Sequence, residues 1–115
     1  MNRFFKSFGY AFAGLIYAFK TQLNFKIHCL AAILVIVLGF YIKLSVAEWL
    51  WIACAITLVL VVELLNTAIE VLVDLVSPQQ NQKAGAIKDI AAAVVLISAL
   101  LSLIVALLIF VPKFI

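Results

Sequence analysis

A chain of 115 residues that is 69% hydrophobic and only 11% charged, with a mean hydropathy of +1.34, carries more apolar surface than a water-facing globule of that size can bury. That excludes a soluble domain and points to a single membrane-embedded domain over residues 1–115. The formal charge of +3 is too small and dispersed for a nucleic-acid footprint, and Cys29 and Cys54 lack the CxxC spacing or clustered histidines of a zinc site or disulfide framework.

The first predicted element is a helix over about residues 3–20. Phe4, Phe8, Phe12, Leu15 and Phe19 recur at three- and four-residue spacing, one face of a helix, while Asn2, Lys6 and Ser7 fall off that stripe. With Arg3, Lys6, Lys20 and Lys26 nearby, this reads as an amphipathic helix lying on an anionic leaflet. A cleaved signal peptide is the competing reading, because a basic start precedes an apolar stretch.

Three uncharged runs come next: residues 27–42, Trp49 to Val62, and Ile90 to Val111. About 20 residues cross the hydrocarbon core, so the first two runs need their flanks. The spans are predicted at about 27–45, at 46–66 with a cytoplasmic extension to 76, and at 89–111. Lys43-Leu44-Ser45 with Glu48 makes the first turn, and Ser77-Pro78 stops the second span. The third helix is expected to restart by about Ala86 and to end at Pro112. The fold class is therefore an all-α membrane protein with a surface helix and three transmembrane helices. Arg3, Lys6, Lys20, Lys26, Lys83 and Lys88 against Lys43 and Lys113 place the N-terminus and the 74–88 loop in the cytoplasm.

The second span carries ELLNTAIEVLVD (Glu63 to Asp74) at its inner end. Glu63, Asn66 and Glu70 stand at i, i+3 and i+7 and share one helical face, with Thr67 and Asp74 close to it. Carboxylates inside a span are costly, about 2.5–3.5 kcal/mol at its centre, and are retained for a reason. One reason is structural: polar side chains bonding neighbouring helices to hold an oligomer together. The other is chemical. A carboxylate at the lipid boundary can take a proton from a lipid hydroxyl. Carboxylate and amide oxygens nearer the water suit Mg²⁺, and a lysine at the start of a helix (Lys88, beside Asp89) suits phosphate oxygens. Those are the parts of phosphoryl transfer, without a P-loop or GxGxxG anywhere in the chain.

ELLNTAIEVLVD, KDIAAAVVL (Lys88 to Leu96), NFKIH (Asn24 to His28) and RFFKSFGYAFAGL at the start resemble the small prokaryotic integral-membrane lipid kinases, the bacterial diacylglycerol kinases and the similar undecaprenol kinases. The resemblance covers nearly the whole chain. It implies an ATP- and Mg²⁺-dependent kinase of the bacterial cytoplasmic membrane, with its active site on the cytoplasmic side. A homotrimer with sites shared between neighbouring subunits is implied as well. By position, Glu63 matches the catalytic base and Glu70 a Mg²⁺ ligand, with Asn66 supporting the same cluster. Arg3, Tyr10, Lys88 and Asp89 match nucleotide contacts, and Gln79, Gln80 and Asn81 occupy the nucleotide-side loop. One position departs: Gln22 stands where the family usually has a glutamate as second metal ligand, so the metal would meet a neutral oxygen there. His28 reads as a helix-boundary residue at the interface rather than a ligand. The lipid acceptor, diacylglycerol or undecaprenol, is not readable from these motifs. The competing classes are a structural, catalytically weak or inactive relative and a small ion-conducting oligomer using the same acidic face.

Overall fold

The computed structural model describes residues 2–115, which form four helices: α1 (Asn2–Thr21), α2 (Leu23–Tyr41), α3 (Val46–Val76) and α4 (Gln82–Phe114). The last three are each long and apolar enough to cross a membrane. With 31 and 33 residues, α3 and α4 are about 46 and 50 Å long at about 1.5 Å per residue. A hydrocarbon core of about 30 Å cannot contain either of them, so both extend into the polar layer.

Gln22, with extended backbone at φ −116° and ψ 109°, separates α1 from α2. α1 touches α2 and α3 but buries only Ala18. The phenylalanine stripe faces outward, and so do Phe5, Tyr10, Ile16 and Tyr17. Apolar surface on α1 is thus broader than one helical face.

α2 ends at Tyr41, short of the expected residue 45, for a local reason. Lys43 adopts a left-handed backbone at φ 58°. The Leu44 amide then donates to the Gly39 carbonyl at 3.1 Å, and Ile42 to Leu38 at 3.0 Å. This is the six-to-one closure that satisfies the last carbonyls of a helix and tucks the following apolar residue inward. Leu44 is accordingly buried, in a cluster with Ile52 and Phe110 against which Leu38 and Trp49 pack. Gly39 is required there: a Cβ would lie 2.7 Å from the Trp49 ring.

α3 and α4 form an antiparallel hairpin, the most extensive helix pairing in the molecule. Ser98 is buried between them, and the Ser102 hydroxyl lies 3.1 Å from the Ala55 carbonyl, a cross-helix bond of the kind small polar residues allow in lipid. At one end, Ser45 and Glu48 make a reciprocal capping box: the Ser45 hydroxyl accepts from the Glu48 amide, and the Glu48 carboxylate accepts from the Ser45 amide. Lys113 reaches Glu48 at 3.2 Å and ties the end of α4 to the start of α3. Pro112 therefore lies within the helix rather than ending it. In the last turn it removes only the bond to the carbonyl four residues back. At the other end, α4 begins at Gln82, before Ala86, because the Asn81 side chain accepts from the Ala84 amide at 2.8 Å and caps it.

Candidate active site

The polar face of α3 turns into the protein. Glu63 is 1% exposed, Asn66 and Thr67 are buried, and Glu70 is half-buried further along. Helical spacing creates this face, and packing against α2 encloses its lipid-side end. The Thr67 hydroxyl donates to the Glu63 carbonyl at 3.0 Å, so the threonine satisfies itself within the helix. The Asn66 amide group donates to Glu70 Oε1 at 3.4 Å.

His28 is where sequence reasoning fell short. Expected to be a boundary residue, it reaches across from the second turn of α2, with Nε2 3.2 Å from Glu63 Oε1. The distance is that of an ion pair, yet no donor is aligned on Glu63 Oε1, and Asn66 Oδ1 is also enclosed without a partner. Buried polar atoms are nearly always bonded, so Asn66 Oδ1 and the off-line contact of Glu63 with His28 stand out on this face.

His28 also lines an apolar cleft between α2, α3 and α4, about 230 Å³ in volume, walled by residues such as Ala31, Ile52, Val59 and Ala99. The cleft runs from the level of Leu60 and His28 to that of Ile52 and Ala106. A second cavity of about 440 Å³ lies at the polar end of the hairpin, lined by Asp74, Gln79, Gln80, Asn81, Gly85 and Lys88 among others. There Lys88 Nζ pairs with Asp74 Oδ1 at 2.6 Å. Asn81 bonds Ser77 through its amide group at 2.6 Å, which shapes the loop.

Within one chain the structure thus brings together Glu63 with His28, Asn66 with Glu70, and the 79–81 loop with Lys88. Arg3 and Tyr10 are exposed on α1, and Asp89 is exposed on α4; none of the three side chains forms a hydrogen bond or ion pair with the α3 face. Gln22 is half-buried at the start of α2 and makes no capping bond with its side chain. Among the described residues there is no group of three or more His, Cys, Asp or Glu side chains that could hold a metal. The donors present are the Glu70 carboxylate and the orphan Asn66 Oδ1, hard oxygens on adjoining turns. That set fits Mg²⁺, which takes one or two protein carboxylates and completes its shell with water and substrate phosphates.

The family model described as prokaryotic diacylglycerol kinase matches residues 9–110. The chain is 45% identical to the undecaprenol kinase of Bacillus subtilis over 98% of its own length and 92% of that protein. It is 42% identical to a diacylglycerol kinase of Synechocystis over 86% of the chain and 57% of the relative. It is 29% identical to the diacylglycerol kinase of Escherichia coli K12 over 90% of the chain and 84% of the relative. A match of this extent, running through the α3 face, the loop and the start of α4, means that the chain belongs to the prokaryotic diacylglycerol kinase family and is a lipid kinase.

Proposed function

We propose that this kinase transfers the γ-phosphate of ATP, with Mg²⁺, to the hydroxyl of a lipid alcohol at the inner face of the bacterial cytoplasmic membrane. The observation that carries the reading is Glu63: a carboxylate 1% exposed that faces His28, which itself lines a mostly apolar cleft.

A lipid alcohol entering from the bilayer lays a chain along the cleft and brings its hydroxyl to the inner end, beside His28 and Glu63. The Glu63 carboxylate takes the hydroxyl proton as the oxygen bonds to the γ-phosphorus. The bond from that phosphorus to the β–γ bridging oxygen breaks, and ADP leaves. Lys88, at the loop cavity, would meet phosphate oxygens, exchanging its Asp74 partner for them. Gln79, Gln80 and Asn81 present amide groups to the nucleotide from the same cavity. Glu70 and Asn66, with Gln22 as a neutral third oxygen, are the residues that would hold Mg²⁺, and the metal supplies charge neutralisation on the phosphates.

Arg3 and Tyr10 are assigned to the nucleotide by resemblance alone. Their separation from the α3 face within one chain fits a homotrimer in which a neighbouring copy completes the site. The basic residues near α1, with its exposed phenylalanines, fit a helix resting on the inner leaflet. Undecaprenol is the preferred acceptor, because the B. subtilis relative so named matches 98% of the chain. The Synechocystis relative at 42% supports diacylglycerol as the second reading.

The test is transfer of ³²P from γ-labelled ATP to undecaprenol and to diacylglycerol, each presented separately in mixed micelles. Label in undecaprenyl phosphate supports the first reading and label in phosphatidate the second. No labelled lipid from either would overturn the proposal.

A further inference from the structure

Glu63 is enclosed in the packing between α2 and α3, where no bulk water can orient it, and a glutamate has three side-chain torsions through which to wander. Yet a general base must present its oxygen to the substrate hydroxyl at hydrogen-bond distance. Something must hold the carboxylate. Among the described residues, the other ion pairs are Lys88 with Asp74 and Lys113 with Glu48, so neither of those cations serves Glu63. The side chain within ion-pair distance of Glu63 is His28, at 3.2 Å.

Resting on the lipid-kinase reading, we infer that His28 is the positioning residue of the base: its imidazole pins Glu63 Oε1 and thereby fixes the direction in which the carboxylate meets the lipid hydroxyl. Three observations converge. The side chain of His28 is only 25% exposed and is set by α2, a different helix from that of Glu63, so it gives the carboxylate an external reference. Oε1 is the enclosed oxygen that lacks any other donor. His28 also lines the inner end of the apolar cleft, so the pair sits where a lipid chain ends and its head begins. The ring N–H is off-line at 3.2 Å, and catalytic hydrogen bonds commonly tighten in the substrate complex. A small turn of the imidazole, prompted by an arriving chain, aligns it.

The inference separates from a structural role by kinetics on the full chain. Four variants are compared with the wild type at saturating MgATP across a lipid titration: His28→Leu, His28→Gln, Glu63→Gln and the double variant His28→Leu/Glu63→Gln. Loss of positioning is expected to lower kcat about 10- to 100-fold in His28→Leu, with the KM for MgATP unchanged. His28→Gln, which keeps an N–H near the Nε2 position, should recover most of that loss. In the Glu63→Gln background, His28→Leu should cost nothing further, since the two act as one unit.

His28→Leu turning over at nearly the wild-type rate would overturn the inference, as would a loss of equal size in both backgrounds or no recovery in His28→Gln. Glu63→Gln serves as the separate check: if it retains full turnover, the reading of the base itself fails, whatever His28 does.

Discussion

The two halves of α3 each carry a buttressed glutamate, Glu48 toward one end and Glu63 past the middle, and the two are held differently. At the Glu48 end the carboxylate is answered on both oxygens: Ser45 and Glu48 cap each other, and Lys113 takes the other carboxylate oxygen. At the Glu63 end the carboxylate is far more deeply enclosed, its partner is a histidine rather than a lysine, and Glu63 Oε1 and Asn66 Oδ1 go without a bond. A helix end that is closed off in this way is built to stay shut. On the proposed function, the other is the place where a lipid hydroxyl and nucleotide phosphates arrive. The contrast would then set stability against chemistry along a single helix.

The sharpest way to break that comparison is to neutralise each glutamate in turn. Glu63→Gln keeps the shape but cannot take a proton, and kcat should fall about 10²- to 10⁴-fold with the helical circular-dichroism signal unchanged. Glu48→Gln should leave kcat within about twofold. Similar losses in both would erase the distinction.

The next effect belongs to the closed end. Gly39→Leu forces side-chain atoms into the Trp49 ring, and overpacking of this kind typically costs about 1–3 kcal/mol. The melting temperature in detergent should drop, while kcat of the protein that remains folded stays near the wild-type value.

A smaller effect sharpens the open end. If Gln22 contributes an oxygen to the metal, Gln22→Glu should lower the Mg²⁺ concentration for half-maximal rate a few-fold, roughly, and Gln22→Ala should raise it. Superimposable Mg²⁺ titrations of the three proteins would remove Gln22 from the metal site. Least of all is Lys113→Ala, which loses a half-exposed ion pair at the far end. Its melting temperature should fall by less than that of Gly39→Leu, with no change in Mg²⁺ dependence.

Much of this was legible in the sequence, because periodicity is a local property. The Glu63, Asn66 and Glu70 face follows from 100° per residue, and the extension of α3 to Val76 follows from Ser77-Pro78. The bounds of α4 were less legible. An Asn81 side chain starts it early, and an ion pair at Lys113 carries it past Pro112, both decided by contacts that spacing does not encode. Lys43 taking the left-handed conformation was hidden for the same reason, since a lysine gives no warning of it. The least legible contact was that of His28. A single histidine in an apolar run has no period, and its meaning lies in a residue 35 positions away on another helix. Depth was the usable signal: His28 lies a turn or two inside the start of α2, and Glu63 follows directly on the uncharged run that ends at Val62 of α3. Two polar residues at matching depth on neighbouring spans are candidates for a pair.

The central claim is that the chemistry belongs to the end of the hairpin that carries Glu63, Glu70 and Lys88, on the cytoplasmic side. ATP cannot cross a sealed bilayer, so sidedness tests it directly. Single-cysteine variants Lys43→Cys and Lys83→Cys, in a background lacking Cys29 and Cys54, report through an impermeant thiol reagent which end faces the outside of sealed vesicles. Labelled ATP added outside should phosphorylate lipid only in vesicles whose position 83 is labelled. Transfer in vesicles that expose position 43 and not 83 would contradict the account.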